Sequence, residues 1–259
     1  MLEELYAGSI ADAESRRQSK SLKLVESEAL DAAPALNALE ALSRSDRIKV
    51  LAEVKRASPS RGQMAEIPDP AKLAAIYAEN GASAISVLTE ERKFKGNLAD
   101  LVEVRAKVAV PLLRKDFIAN EYQILEARAA GADIILLIVA GLQQKDIVRL
   151  KDFTEQLGMT AFIETHDGEE VKRALDVDAR LLGINARNLS TFETDRNLFA
   201  SLVPELPENV IRVAESAVRN AEDVRHYRLA GADVVLVGEA LVTNDPAEML
   251  KSFLSIENA

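Results

Sequence analysis

From Val50 onward, short runs that are apolar at nearly every position alternate with stretches in which apolar residues recur at helical spacing. The short runs predict eight strands, at Val50–Lys55, Ala84–Thr89, Pro111–Lys115, Asp133–Val139, Met159–Glu164, Leu181–Asn185, Ile211–Glu215 and Asp233–Val237. Ile134 to Val139 is apolar throughout, as a strand covered on both faces should be. Asp69-Pro70 and Asp245-Pro246 each put an N-capping acid before a proline suited to the first helical position. Ahead of Val50 the composition is helical, with Leu2, Tyr6 and Ile10 expected on one face. A Ser/Lys-containing stretch, Ser19 to Glu26, separates this segment from a second expected helix at Ala35–Leu42.

A repeat sharpens the picture. Asn80-Gly81-Ala82-Ser83-Ala84-Ile85, Ala130-Gly131-Ala132-Asp133-Ile134-Ile135 and Ala230-Gly231-Ala232-Asp233-Val234-Val235 share one pattern, a helix closed by glycine and followed directly by a buried strand. The intervals between these glycines accommodate two and then four strand–helix units of one average period. Eight such units fit an α/β fold of the closed (β/α)8 TIM-barrel type better than a doubly wound open sheet, which needs edge strands and a switch point. The expected organisation is one domain, 1–259, with 1–48 as an N-terminal helical extension over the barrel top.

Composition then narrows the chemistry. The chain has 259 residues, 48% of them hydrophobic, enough for a sizeable core. A net charge of −10 argues against nucleic acid or an anionic membrane as partner, though not against an anionic small molecule held by a local cluster. With no cysteine and only His166 and His226, neither a thiolate nucleophile nor a zinc site is expected. The acidic N-terminus lacks a signal-peptide pattern, and the longest apolar run, Ile134 to Ala140, is too short to span a bilayer; a cytoplasmic protein is expected.

In a barrel of this kind the chemistry sits at the C-terminal ends of the strands. Six polar residues there stand out: Glu53 and Lys55 on the first strand, Lys115 on the third, Glu164 on the fifth, Asn185 on the sixth and Glu215 on the seventh. Glu53 and Lys55 are two apart and so share a face, as do Asn185 and Arg187. A single Glu–Lys pair would read as a plug of the barrel top, but six such groups on five strands read as an active site. Arg114 alternates with Lys115 and should face the helices. His166 reads as a loop or cap residue, and the pairs Glu90-Glu91 and Glu169-Glu170 as solvated loop or helix-start residues.

The segment Leu51-Ala52-Glu53-Val54-Lys55-Arg56-Ala57-Ser58-Pro59-Ser60-Arg61-Gly62 resembles the signature of the indole-3-glycerol-phosphate synthase family. The resemblance continues through Leu113-Arg114-Lys115-Asp116-Phe117, Ile163-Glu164, Gly183-Ile184-Asn185-Ala186-Arg187-Asn188-Leu189 and Ala214-Glu215-Ser216. It implies a lyase of tryptophan biosynthesis that closes the ring of 1-(2-carboxyphenylamino)-1-deoxyribulose 5-phosphate, with decarboxylation and dehydration, and that uses no metal and no cofactor. It further implies Lys115 as the acid that protonates the substrate ketone and Glu164 as the acid/base group of dehydration. Lys55 would bind an anionic substrate group, with the division of proton transfers between the lysines left open. Glu53 and Asn185 would orient the lysines and the substrate hydroxyls, and Glu215, Ser216 and Arg187 would complete the pocket.

The resemblance places the substrate phosphate near Ser216–Ala217 and Gly238–Glu239, with Ser58 close by. Two positions depart from the commoner pattern: Ala217 stands where glycine often follows Glu-Ser, and Glu239 where Ser or Thr is frequent. Backbone amides can still serve if φ at Ala217 stays negative, and the Glu239 side chain should face solvent or cap a short helix. The competing readings are another phosphate-binding barrel, such as phosphoribosylanthranilate isomerase, and a non-catalytic ligand-binding barrel. The former lacks the Glu-Val-Lys-Arg-Ala-Ser-Pro-Ser segment, and the latter should have lost Lys55, Lys115 or Glu164. A phosphorylated small molecule is the expected partner, and a non-covalent partner from the same pathway is left open.

Overall fold

The computed structural model describes residues 1–188 and 191–256, so Leu189 of the resembling segment lies outside the described residues. Eight parallel strands close into a barrel: β1 Lys49–Val54, β2 Ala84–Leu88, β3 Leu112–Lys115, β4 Ile134–Ile138, β5 Thr160–Thr165, β6 Leu181–Asn185, β7 Ile211–Glu215 and β8 Val234–Val237. Each strand pairs with its sequence neighbours, and β1 closes the ring by pairing with both β2 (Leu51↔Ala84) and β8 (Lys49↔Val234). Among the described residues, no helix is long and apolar enough to cross a membrane.

The period of two sorts the side chains into two buried layers. Val50, Ala52, Ile85, Val87, Ile135, Leu137, Ile163 and Val235 point outward and pack under the helices. Leu51, Ala84, Leu113, Ile134, Leu136, Phe162, Leu181, Val213 and Val234 point inward and fill the barrel's lower part. Continuing the inward series toward the C-terminal strand ends leads to Glu53, Lys115, Glu164, Asn185 and Glu215. The apolar floor thus carries a polar ceiling.

The outer helices that matter here are α4 Pro70–Glu79, α5 Leu98–Arg105, α6 Glu121–Ala129, α7 Gln144–Gln156, α8 Gly168–Leu175, α9 Leu198–Leu202, α10 Ala221–Leu229, α11 Glu239–Val242 and α12 Pro246–Leu254, preceded by α1 Leu2–Ser19, α2 Leu22–Asp31 and α3 Ala38–Ala41 of the extension. Asp69 and Asp245 accept from the amides of Lys72 (2.8 Å) and Glu248 (3.0 Å), so both Asp-Pro pairs start helices as their chemistry dictates. Arg114 is fully buried on the outer face, bonding Thr89 Oγ1, Asp116 and the carbonyl of Gln123 on α6.

The extension departs from expectation in its path. α1 (Leu2–Ser19) lies at the barrel top, where Ser9 Oγ donates to Asp116 Oδ1 at 2.8 Å and Tyr6 packs edge-on against Phe117. Its buried face runs through Leu5, Tyr6, Gly8, Ser9 and Ala13, while Ile10 is 43% exposed, because the close approach needs small residues rather than a third large one. The stretch read as a separator is largely helix: α2 (Leu22–Asp31) is capped by Ser21 and sets Val25 and Ala29 against Tyr122 and Leu125 of α6. The helix expected over Ala35–Leu42 shrinks to α3 (Ala38–Ala41), started by the Asn37 cap. Around it, Leu36 N bonds Asp133 (2.7 Å) and Arg44 bonds Asp233 (2.9 Å), the residues that directly precede β4 and β8. Only α1 therefore covers the top; the chain then descends along α6 and closes the barrel bottom.

Candidate active site

The inward residues at the strand ends line one cavity of about 920 Å³, together with the loop that follows β1 and the loops after β6, β7 and β8. Every residue singled out from the sequence borders it: Glu53, Lys55, Ser58, Lys115, Glu164, Asn185, Arg187, Glu215, Ser216, Ala217, Gly238 and Glu239. Leu2, Leu5, Phe94 and Phe117 form an apolar wall, with α1 contributing two of the four. The cavity is thus polar at its base and apolar on one flank, a fit for a substrate with an aromatic end and a charged end.

Lys115 is the hub of the base. Its Nζ lies 3.1 Å from Glu164 Oε2 and 2.5 Å from Glu215 Oε2. Burial alone would lower the ammonium, but the charges of Glu164, Glu215 and Glu53 outweigh it and hold Lys115 above the usual lysine value. The two carboxylates respond oppositely. Burial favours the acid form of both; at Glu164 the charge of Lys115 and the contacts with His166 and Asn185 reverse this and keep it ionised. At Glu215 burial and the nearby Glu164 charge win over Lys115 and raise it. Splitting a carboxylate pair in this way provides one proton acceptor and one proton carrier in the same cluster.

Neighbouring side chains fix the geometry. Asn185 Oδ1 accepts from Arg187 N (3.0 Å) and Ser216 Oγ (2.8 Å), which turns its Nδ2 toward Glu164 Oε1 at 3.1 Å. Lys55 Nζ is 2.6 Å from Glu53 Oε1, and Ser86 supports the other Glu53 oxygen at 3.5 Å. Two glycines make room. A Cβ on Gly183 would collide with Glu215 Oε1 and approach the Phe162 ring to 2.8 Å, and one on Gly238 would stand 2.5 Å from Glu53 Oε1. Among the described residues, no group of three or more His, Cys, Asp or Glu is placed to hold a metal ion.

At the expected phosphate end the backbone differs from expectation. Ala217 has φ +55° and Ser216 +69°, both left-handed, so the condition of a negative φ is not met. Ser216 is held there through its own hydroxyl on Asn185 and through its carbonyl, which accepts from Tyr227 OH at 3.2 Å. Glu239 neither caps α11 nor turns fully to solvent: its Oε1 pairs with Arg61 Nη2 at 2.7 Å, linking the loop after β1 to the start of α11. Arg187 reaches the same β1 loop, with Nη1 3.5 Å from Ser60 Oγ and 3.1 Å from the carbonyl of Phe192. α11 has only four residues, so any anion here rests on local amides and side chains rather than on a helix dipole.

Several residues escaped the sequence reading. His166 is not a bystander: its Nε2 lies 3.3 Å from Glu164 Oε1 and its Nδ1 3.0 Å from Glu170 Oε2. The signal was present, since His166 follows Glu164 by two, the relation that joins Glu53 to Lys55. Glu170 is correspondingly sheltered, its side chain 14% exposed, whereas Glu169 is open. Glu90 is also buried, because its carboxylate accepts from the amides of Arg92, Lys93 and Phe94 in the turn after β2.

Comparison with known proteins bears on the whole chain. The family profile described as indole-3-glycerol phosphate synthase matches residues 2–253. An indole-3-glycerol phosphate synthase of Leifsonia xyli subsp. xyli (strain CTCB07) is 59% identical over 99% of this chain and 98% of its own length. One of Arthrobacter sp. (strain FB24) is 52% identical over 98% of this chain and 95% of its own. Among solved structures, the 3-hexulose-6-phosphate synthase of Salmonella typhimurium superimposes with a TM-score of 0.62 at 15% identity, covering 80% of this chain and 96% of that one. At that identity the likeness is one of fold.

Proposed function

This chain belongs to the indole-3-glycerol phosphate synthase family, and from that premise we propose how its barrel mouth carries out the reaction. The enzyme is a carboxy-lyase: it converts 1-(2-carboxyphenylamino)-1-deoxyribulose 5-phosphate to indole-3-glycerol phosphate, releasing carbon dioxide and water. The family match over residues 2–253 sets aside phosphoribosylanthranilate isomerase and a non-catalytic barrel as readings. A phosphorylated metabolite as substrate suits a cytoplasmic enzyme acting on a small molecule, with neither nucleic acid nor membrane as partner.

The observation that carries the residue roles is the position of Lys115 Nζ between Glu164 and Glu215, at 3.1 and 2.5 Å, at the base of the cavity. As the ring carbon bearing the carboxylate attacks the ketone, Lys115 gives a proton to the ketone oxygen, leaving a tertiary alcohol. Loss of carbon dioxide returns its bonding electrons to the ring and restores aromaticity. The ring nitrogen then expels the hydroxyl, which takes a proton from the Lys55 ammonium and leaves as water, and a carbon-bound proton is removed to complete the indole. Glu164, ionised beside Lys115 and His166, is the group we assign to that last removal. Lys55, paired with Glu53, faces the cavity as the cation for the substrate carboxylate. Glu215 holds the lysine in register, and Asn185 holds Glu164.

The phosphate is assigned to the end lined by Ser58, Arg187, Ser216, Ala217, Gly238 and Glu239. Its repulsion by Glu239 is moderated by Arg61, which engages that carboxylate. The test is direct: the purified protein with the carboxyphenylamino-deoxyribulose phosphate should develop indole fluorescence. A phosphate-free analogue should do so only at much higher concentration. Failure of the wild-type protein to form an indole overturns the reading.

A further inference from the structure

β5 ends in Glu164-Thr165 with His166 directly after it, and the alternation that points Glu164 inward and Thr165 outward returns His166 to the Glu164 side. The imidazole is almost enclosed, 11% exposed, and does not border the substrate cavity. Glu170, in the first turn of α8, grips it twice with one oxygen: Oε2 accepts from the His166 backbone N at 2.8 Å and lies 3.0 Å from Nδ1. The opposite nitrogen, Nε2, is buried and faces Glu164 Oε1 at 3.3 Å, within ion-pair distance but off hydrogen-bond alignment. Each ring nitrogen therefore confronts a carboxylate. A neutral imidazole would turn a lone pair on one of them, so the arrangement calls for a proton on both.

The charge balance points the same way. Glu164 is faced by Lys115 from β3, Asn185 from β6, Glu215 from β7 and the Tyr6 hydroxyl from α1, with Glu53 of β1 behind Lys115. Three carboxyl groups, Glu53, Glu164 and Glu215, share two ammonium groups, Lys55 and Lys115, and Glu215 is the one raised toward its acid form. A cationic His166 adds a second positive charge beside the ionised Glu164 from outside the cavity.

We propose that His166, clamped by Glu170, is a positioning residue that holds Glu164 ionised and oriented for proton removal. The proposal rests on the role assigned to Glu164 above. Burial would lower the imidazole, but the hydrogen bonds and charges of Glu164 and Glu170 overcome it and push His166 up to about 10. Glu170 thereby acts on the reaction through two intermediaries, His166 and Glu164, without touching substrate.

The test has two arms on the full-length protein. With two histidines in the chain, nitrogen-15 NMR of the rings is assigned by comparing wild type with His166→Gln. In the wild type His166 should remain doubly protonated through about pH 9, and in Glu170→Gln its midpoint should fall by at least about one unit. In the second arm, kcat of Glu170→Gln should decline with rising pH through that same shifted midpoint, with KM within about twofold, while wild-type kcat shows no such limb below about pH 9. A merely structural pair would lower kcat equally at every pH. The inference is overturned if wild-type His166 titrates near an ordinary imidazole value, or if its midpoint in Glu170→Gln falls without a matching limb in kcat. Wild-type turnover accompanied by either result spares the reaction; a wild type that forms no indole overturns the reaction and this inference together.

Discussion

Lys115 Nζ lies 3.1 Å from Glu164 Oε2, and the two residues reach that contact from β3 and β5 with β4 between them. A proton donor and a proton acceptor are thus paired directly, each favouring the ionised form of the other. Lys115→Met roughly keeps the volume and removes both proton and charge. Turnover should fall by about 10²–10⁴-fold or more, the range of a lost general acid, with circular dichroism unchanged. The melting temperature should also drop, because Glu164 and Glu215 lose the cation they share and one of them must take up a proton. Near-normal turnover by the folded variant would remove Lys115 from the mechanism.

Glu164→Gln separates the early from the late chemistry. The amide keeps the shape and one acceptor oxygen for Lys115 or Asn185, but it cannot accept a proton at neutral pH. If Glu164 serves dehydration, single-turnover mixing should still consume substrate and release carbon dioxide while a precursor of the indole builds up. Equal suppression of carbon dioxide release and fluorescence, with no intermediate, places Glu164 in ring closure or binding instead.

How far the sequence reveals this site depends on how local each feature is. The eight strands are legible because strands covered on both sides leave apolar runs, and the shared face of Glu53 and Lys55 follows from a period of two. The clamp of Glu170 on His166 is harder to read, since it depends on where α8 begins. The Arg61–Glu239 pair joins a loop to a helix start that no pattern connects. The extension misleads for another reason: an amphipathic helix declares which face is apolar but not what covers it. Val25 and Ala29 are covered by α6 and not by the barrel mouth.

Ala217 carries a backbone cost that a glycine would relieve. At φ +55° an alanine is disfavoured by about 1–2 kcal/mol, partly offset in Ala217→Gly by the greater freedom of glycine in the unfolded chain. Ala217→Gly should raise unfolding stability by roughly 0.5–1 kcal/mol, measured by urea denaturation, and leave KM within about twofold. Ala217→Val, with a branched Cβ in the same conformation, should destabilise. Loss of stability in the glycine variant would contradict the left-handed geometry.

The charge on His166 also makes a prediction about stability against pH. Its value rises from 6.5 to about 10 on folding. A base raised in this way contributes fully below its unfolded value and loses the contribution as pH climbs through its folded value. The stability gap between wild type and His166→Gln should therefore be widest near or below about pH 6.5 and narrow steadily toward about pH 10. Denaturant titrations across that window measure it. A gap independent of pH would mean that the ring is neutral in the fold.

The end proposed for the phosphate holds both positions, Ala217 and Glu239, at which the sequence departs from the commoner pattern, and a double-mutant cycle isolates what Glu239 does there. Glu239 brings a negative charge to the end we assign to the phosphate, and Arg61, 2.7 Å away, pairs with it. Glu239→Ser alone should change KM by only a small factor, since it removes a repulsion and its compensation loses a partner at the same time. Arg61→Ala alone should raise KM several-fold, because the carboxylate is then free to oppose the phosphate across a partly exposed rim. Adding Glu239→Ser to Arg61→Ala should recover most of that loss. Equal effects of Arg61→Ala in both backgrounds would mean that Arg61 acts on substrate directly and that Glu239 lies clear of the phosphate. Gly238→Val provides the steric counterpart: a Cβ there would stand 2.5 Å from Glu53 Oε1 and 3.1 Å from Lys55 Nζ. That variant should disturb the Glu53–Lys55 pair as well as the close backbone approach, lowering kcat along with raising KM. A pure KM effect, absent with a phosphate-free analogue, would place Gly238 in phosphate binding alone.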